Sequence, residues 1–281
     1  MKNIVVTGGE GMLAQALVSA LTAKGATVSA PGRRELDVTQ PQAIADAFNK
    51  LRPAVVVQCA AYTDVDKAEN DEDEAFRINA QAAVNVARAC RSIGARFVYP
   101  STDYVFDGRS NTPYLPDASP NPLNAYGRSK AAGENAARHA GDYLIVRTSW
   151  LYGRGGRNFV RAIASTLRHG RPVRVVADQH GALSSTSDVA EMFAALINTD
   201  APAGIYHAAN AGSTTWYDAA RKIAELLEID APIEPCTTAE YPRPAQRPMN
   251  SVLDCGSTLV FAGPARSWDA ALADAIARGA Y

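Results

Sequence analysis

The stretch from Lys2 to Ala14, KNIVVTGGEGMLA, decides the fold. Lys2 to Thr7 is a β-rich run typical of a buried strand, and a glycine-rich turn and a helical run to about Ala23 follow it. Glycines in such a turn let the backbone approach a pyrophosphate at the positive end of the helix. The stretch therefore predicts a dinucleotide-binding unit. It fits Gly-x-Gly-x-x-Ala through Gly9, Gly11 and Ala14, and equally Gly-x-x-Gly-x-x-Ala through Gly8, Gly11 and Ala14.

Strands and helices alternate beyond this unit. Alternation of this kind is typical of a doubly wound parallel sheet, so we expect an α/β fold with a Rossmann domain over residues 1–150. The looser, proline-rich remainder, residues 151–281, predicts a smaller substrate-binding domain, with later segments free to return to the first. The expected strands are Thr27–Ala30, Ala54–Gln58, Phe97–Tyr99 (ended by Pro100) and Asp142–Arg147, and the expected helices are Pro41–Leu51 and Asp71 to about Ile93.

The residues after the second and third strands indicate how a dinucleotide would be held. The second strand ends at Pro31-Gly32-Arg33-Arg34, where an acid would favour NAD and an arginine favours NADP. No acid occurs there before Glu35, so we expect NADPH to be preferred while NADH remains usable. The expected cofactor contacts are Gly8, Gly11, Met12 and Leu13 at the turn, Arg33, Asp37 and Val38 after the second strand, and Ala60, Ala61 and Tyr62 after the third.

A second informative stretch runs from Arg96 to Glu134. A buried strand leads to Thr102, and YGRSK begins a helical run that contains Tyr126 and Lys130. A spacing of four places Tyr126 and Lys130 on one helix face, and an ammonium near a phenol is expected to lower the phenol's pKa. The pattern predicts a tyrosine proton donor supported by a lysine and a threonine hydroxyl.

Composition excludes several classes of protein. The net charge of −1 and the lack of a long basic run argue against nucleic-acid binding. Lys2-Asn3 leads straight into a strand, so we expect no signal peptide, no membrane span and a cytoplasmic location. The four cysteines form no Cys-x-x-Cys and are expected to be reduced. No metal-ligand cluster is apparent, and the oligomeric state stays open, with a homodimer as one alternative.

The sequence resembles the dTDP-4-dehydrorhamnose reductases, a family of extended short-chain dehydrogenases/reductases, almost from end to end. The blocks that carry the resemblance are AAYTDVDKAE, STDYVFDG, YGRSKAAGE, RTSWLYG, NFV, ADQHG, TTWYD and RPMNSVLD. The resemblance implies NAD(P)H-dependent reduction of the 4-keto group of a dTDP-6-deoxyhexulose to dTDP-L-rhamnose, a precursor of surface polysaccharide. Magnesium is a feature of some members and stays open. Gln58-Cys59 replaces the usual Asn-Ala, which predicts only a local change in packing.

The resemblance also assigns roles to residues. It makes Tyr126 the acid that protonates the C4 oxygen, Lys130 the residue that tunes Tyr126 and holds the nicotinamide ribose, and Thr102 a hydrogen-bond partner of the reacting oxygen. Asp103 and Trp150 are then expected to contact the sugar. For the diphosphate, the rigid YPRPAQRP loop offers Arg243 and Arg247, and Asn158 could add an amide donor.

A dehydratase is disfavoured at this point, while an epimerase, another 4-ketoreductase and a regulatory subunit remain as alternatives. A dehydratase would need a second carboxylate after Asp103, where Tyr104 stands. An epimerase or another nucleotide-sugar 4-ketoreductase would use the same tyrosine and lysine. A non-catalytic NADP-binding regulatory subunit resembles the family throughout, although the presence of Thr102, Tyr126 and Lys130 together argues against it.

Overall fold

A computed structural model describes residues 2–281. The chain alternates strands and helices throughout its first half and is less regular in its second half. The strands are β1 Asn3–Thr7, β2 Thr27–Ser29, β3 Val55–Gln58, β4 Arg96–Thr102, β5 Tyr143–Thr148, β6 Leu151–Tyr152, β7 Val173–Val176, β8 His180–Gly181, β9 Ser184–Ser185, β10 Gly204–Ala208, β11 Thr214–Thr215 and β12 Ile233–Cys236. The helices are α1 Met12–Ala23, α2 Pro41–Leu51, α3 Glu72–Phe76, α4 Ala82–Ile93, α5 Ala125–Ala137, α6 Phe159–Arg168, α7 Thr186–Asn198, α8 Trp216–Leu226, α9 Gly256–Ala262 and α10 Trp268–Ala277.

The central sheet has six parallel strands in the order β10-β5-β4-β3-β1-β2. Its inner strands are buried on both faces, which explains continuous apolar runs such as Val55 to Val57. The chain moves outward from β1 to β2 on one side and to β3 on the other. The loops that follow β1 and β3 therefore separate and open a crevice at this switch point.

Two helical layers cover the sheet. Apolar residues of α1, α7 and α9 pack on one face, and those of α2, α4 and α5 pack on the other. A third cluster joins α6, α8 and α10 to β7 beyond the sheet. The sheet and its layers thus take β10, α7 and α9 from residues after position 150, while the third cluster is built mainly from residues 152–281. The domain division stays a prediction.

The strand that leads to Thr102 is longer than expected. Pro100 was expected to end it, but β4 continues through Pro100 to Thr102. This prediction was wrong because β4 has lost one neighbour at that point: pairing with β3 ends at Val98, whereas pairing with β5 continues to Thr102. A proline disturbs a strand little where only one side is paired. The longer strand carries Ser101 and Thr102 to the edge of the crevice.

Candidate active site

A cavity of about 610 Å³ lies at the carboxyl ends of β1, β3, β4 and β5. The loops that follow these strands form its walls, together with α5 and residues from the second half of the chain. The structure brings most of the predicted site residues together here. They are Gly8, Gly11, Met12, Leu13, Arg33, Asp37, Val38, Ala60, Ala61, Thr102, Asp103, Tyr126, Lys130 and Trp150.

The amino-terminal end of α1 opens into this cavity. Gly11 is the N-cap residue in an extended conformation, no side chain caps the helix, and its first turn holds no acid. Gly8 has a φ of +67°, and a Cβ there would lie 2.7 Å from the backbone nitrogen of Ala60. An uncapped helix end keeps its N–H groups and its positive dipole for an anion. The turn therefore fits the pyrophosphate of a dinucleotide.

The loop after β2 presents Arg33 to the same cavity. Its acids are engaged locally: Glu35 accepts a hydrogen bond from the Gly32 backbone at 2.9 Å, and Asp37 accepts hydrogen bonds from the backbone and hydroxyl of Thr39 at 2.9 and 2.8 Å. The hydrogen bond from the Thr39 backbone is the main reason that the pKa of Asp37 is lowered. Arg33 therefore contributes positive charge to this end of the cavity.

The helix α5 holds Tyr126 and Lys130 one turn apart. Asn124 caps the helix by accepting a hydrogen bond from Gly127 at 2.7 Å, and Gly127 packs against the Tyr104 backbone too closely to allow a Cβ. The Lys130 ammonium donates to the carbonyl of Pro100 at 2.7 Å. The helix α5 is thus fixed at its first turn and again at Lys130.

Burial dominates the ionisation of both side chains. It lowers the pKa of Lys130 to about 7, although the Glu134 carboxylate acts in the opposite direction. It raises the pKa of Tyr126 to about 12, opposed by a hydrogen bond with Thr102. The prediction that Lys130 lowers the Tyr126 pKa is therefore wrong for this structure, because burial outweighs any neighbouring charge. Tyr126 consequently stays protonated at neutral pH.

Asp103 lies next to this pair and is 2% exposed. Its carboxylate accepts hydrogen bonds from the hydroxyls of Thr102 and Ser149 at 3.1 Å each and of Ser251 at 2.5 Å. Burial raises the pKa of Asp103 to about 6 against the effect of these donors. Because Ser251 comes from the last part of the chain, Asp103 also ties that segment to the end of β4.

The structure adds cavity residues that sequence reasoning missed. Trp216 stacks on Trp150, and Arg157 contributes an exposed guanidinium. Gln58 is 1% exposed, and neither atom of its amide has a hydrogen-bond partner among residues 2–281. A buried amide without a partner is costly, which is typical of a group that pairs with a ligand or water. The sequence offered a signal for two of these residues. Trp216 lies in the TTWYD block, and Gln58 stands where the family usually has asparagine.

Four predicted residues do not line the cavity. The Tyr62 hydroxyl donates to Asp71 at 3.1 Å, and Asn158 caps α6 by accepting a hydrogen bond from Arg161 at 2.9 Å. Arg243 and Arg247 both donate to the carboxylate of Asp66. Their proposed ligand contacts stay predictions.

No cluster of three or more histidine, cysteine, aspartate or glutamate side chains suited to a metal ion occurs among residues 2–281. Within the same range, no helix combines the length and apolar character needed to cross a membrane.

Comparison with known proteins assigns the chain to a family. A family model described as "RmlD substrate binding domain" matches residues 1–280. The dTDP-4-dehydrorhamnose reductase of Streptomyces griseus is 44% identical over 279 residues, which cover 96% of this chain and 91% of that protein. The chain belongs to the dTDP-4-dehydrorhamnose reductase family.

Other members of the family agree with this assignment. A probable dTDP-4,6-dihydroxy-2-methyloxan-3-one 4-ketoreductase of Streptomyces antibioticus is 43% identical and covers 96% of this chain and 93% of that protein. The crystal structure of the Bacillus anthracis dTDP-4-dehydrorhamnose reductase, solved in complex with NADP, superposes with a TM-score of 0.92 at 36% identity and covers 96% of this chain and 97% of that chain. The resemblance identified from the sequence and the expected α/β fold are confirmed.

The buried Asp103 carboxylate generates a prediction about stability and pH. Its folded-state pKa of about 6 lies above the ordinary value of 3.8. The protonated carboxyl therefore stabilises the fold at low pH, and this stabilisation is lost as the pH rises through about 6. We expect Asp103→Asn to become more stable relative to the wild type as the pH rises from about 4 to about 7, by roughly 2–3 kcal/mol at 1.36 kcal/mol per pKa unit. Denaturant unfolding at several pH values measures this trend. Asp117→Asn, at an exposed position, is the control, and a difference that does not change with pH would contradict the prediction.

Proposed function

We propose that the protein reduces the 4-keto group of dTDP-4-dehydro-6-deoxy-L-mannose to dTDP-L-rhamnose with NAD(P)H. The observation that carries the proposal is that Thr102, Tyr126 and Lys130 line the same cavity as the uncapped end of α1. One region suits a dinucleotide and the adjoining region suits an acid-assisted ketone reduction. The names of the family members support the dTDP-sugar as substrate.

The proposed chemistry uses each residue in a defined way. A reduced nicotinamide, when bound, supplies the hydride. The Tyr126 phenol, which burial keeps protonated, donates its proton to the C4 oxygen of the sugar as that oxygen gains negative charge. The Thr102 hydroxyl orients the phenol or the oxygen. The Lys130 ammonium stabilises the phenolate that remains, and its pKa of about 7 allows it to carry charge near neutral pH.

A second candidate function is reduction of a different dTDP-4-ketosugar. The Streptomyces antibioticus relative, a probable 4-ketoreductase of a different dTDP-sugar, is 43% identical to this chain, and the Streptomyces griseus dTDP-4-dehydrorhamnose reductase is 44% identical. An epimerase uses the same tyrosine and lysine, and a regulatory subunit binds without turnover. Incubation of the purified protein with NADPH and the L-sugar, the D-sugar or no sugar separates these functions. Consumption of NADPH with the L-sugar supports the main proposal, an isomerised sugar without net consumption of NADPH supports the epimerase, and binding with neither change supports the subunit.

Two further features are proposals of the same kind. We infer that NADPH is preferred over NADH because Arg33 lines the cavity while Glu35 and Asp37 are held within their own loop. A cytoplasmic location suits an enzyme that uses a soluble coenzyme and a sugar nucleotide.

The role of Tyr126 predicts the phenotype of Tyr126→Phe. Loss of the hydroxyl should reduce kcat by about 10²–10⁴-fold, the usual contribution of a positioned acid, because the C4 oxygen loses its proton donor. The Kd for NADPH and the melting temperature should change little. Tyr206→Phe, which removes a hydroxyl that donates to the Pro202 carbonyl outside the cavity, is the matched control. A Tyr126→Phe enzyme with a near wild-type kcat would remove Tyr126 as the acid.

Arg33 predicts the coenzyme preference. We expect Arg33→Ala to lower kcat/KM for NADPH about tenfold while the value for NADH is nearly unchanged, since a charge-assisted contact to the 2′-phosphate is lost. Arg34→Ala, next in sequence but away from the cavity lining, should alter neither coenzyme. Equal losses with both coenzymes, or equal effects of the two variants, would show that Arg33 does not select the phosphate.

The pair Arg243 and Arg247 predicts how the substrate's diphosphate is bound. We expect Arg247→Ala to raise the KM for the sugar nucleotide about tenfold and to leave the Kd of NADPH unchanged. A diphosphate would have to compete with the Asp66 carboxylate for these guanidinium groups. Arg174→Ala, which breaks an exposed ion pair with Glu240, is the control. Equal weakening of both ligands would indicate that Arg247 acts only in packing.

A further inference from the structure

Trp150 occupies a strained position in the wall of the cavity. Its φ of +44° lies in the left-handed region, which a bulky residue rarely adopts. Arg52, Asp200 and Glu228 are the other non-glycine residues with positive φ among residues 2–281, and none of them lines the cavity. Strain of this kind persists only where the surroundings determine the conformation, and it is concentrated at functional sites.

The surroundings of Trp150 hold its indole on both faces. On one face the Trp216 ring lies parallel, with centroids 3.6 Å apart and an interplanar angle of 8°. On the other face lies Gly181, where a Cβ would stand 2.6 Å from Cζ2 and 2.8 Å from Nε1 of the indole, and closer still to Cε2, which joins them. A Cβ at these distances from Cε2 and its two neighbours would lie above the plane of the indole and not beside its rim. It would lie on the face opposite Trp216, because the Trp216 ring 3.6 Å away leaves no space for it on the near face.

The same short sheet positions both sides of this sandwich. Thr214 of β11 pairs with Gly181 of β8, and Trp216 begins α8 directly after β11. The Trp216 indole is fixed in rotation by a hydrogen bond from its Nε1 to the amide oxygen of Gln179 at 3.2 Å. Phe159 lies against Trp216 at 4.6 Å between ring centroids. Trp216 is thus held independently of Trp150.

Trp216 covers one face of the Trp150 indole and Gly181 lies over the Cε2 corner of the other, which leaves the edge of the indole as the part best placed to meet the cavity. The edge of an aromatic ring is the positive part of its quadrupole, whereas the face is negative. A sugar that meets the edge is therefore recognised through its oxygen atoms, while a sugar stacked on a face would be recognised through its C–H groups. We propose that Trp216 is a positioning residue that holds Trp150 edge-on to the sugar of the nucleotide substrate. This rests on the proposed function for the identity of that substrate.

The test compares Trp216→Ala, Trp216→Phe and a control, Trp268→Phe, which changes the remaining one of the three tryptophans. Near-ultraviolet circular dichroism reports the coupling of the stacked indoles. Steady-state kinetics give the KM for the dTDP-ketosugar, and calorimetry gives the Kd values of NADPH and of dTDP-L-rhamnose. We expect Trp216→Ala to abolish the coupling, to raise KM and the dTDP-L-rhamnose Kd at least tenfold, and to leave the NADPH Kd within about twofold. Trp216→Phe should recover most of the sugar-nucleotide affinity, and Trp268→Phe should alter none of these quantities.

Gly181→Ala provides a second route to the same result if Trp216→Ala does not fold. Its methyl group displaces Trp150 from the opposite face while Trp216 is intact, so KM should rise with no change in NADPH affinity. Loss of the coupling without a change in sugar-nucleotide affinity would overturn the proposal, as would equal weakening of both ligands. If the wild type binds dTDP-L-rhamnose but reduces no ketosugar, the proposed function fails, and the calorimetric comparison still decides the role of Trp216. If it does not bind dTDP-L-rhamnose, both proposals fail.

Discussion

The buried ion pair between Glu134 and Arg147 underlies the geometry of the active site. Their side chains are 2% and 1% exposed and form two parallel hydrogen bonds of 2.8 Å, and Ser101 donates a third to Glu134 at 2.6 Å. The three residues belong to α5, β5 and β4, so the pair fixes α5, the helix that carries Tyr126 and Lys130, against two strands of the sheet. Removing one partner would leave an uncompensated buried charge, which typically costs about 3–5 kcal/mol. Glu134 also lies one turn beyond Lys130 and opposes the lowering of the Lys130 pKa by burial, so the same carboxylate fixes the helix and favours the charged lysine.

Local sequence patterns were sufficient to predict the parallel sheet and the centre of the site. The valine run of β3, the glycine turn after β1 and the Tyr126–Lys130 spacing are each specified within a few residues, and the switch point brings them together. The extension of β4 through Pro100 was missed because it depends on which neighbouring strand has already ended. The pKa of Tyr126 was misjudged for a similar reason: burial is a property of the whole fold, whereas the spacing to Lys130 is local.

Contacts between distant segments account for what sequence reasoning could not supply. Asp66 meets Arg243 and Arg247, which lie 177 and 181 positions away, and Trp150 meets Trp216 from another part of the chain. Charge alone cannot say whether an arginine faces a ligand or an internal carboxylate. Asn158 illustrates the same ambiguity on a local scale, since an amide suited to a ligand equally suits the beginning of α6, which it caps.

Burial raises the pKa of Asp103 and lowers the pKa of Lys130, so that both pKa values lie near neutral pH. Asp103, with a pKa of about 6, becomes charged as the pH rises, while Lys130, with a pKa of about 7, becomes neutral. Below about 6 the pair therefore carries a positive charge on Lys130, and above about 7 it carries a negative charge on Asp103. An incoming anion such as a dinucleotide pyrophosphate favours the charged lysine and disfavours the charged aspartate. Ligand binding at the end of α1 should accordingly shift both pKa values upward and extend the pH range over which Lys130, one turn along α5 from Tyr126, is charged.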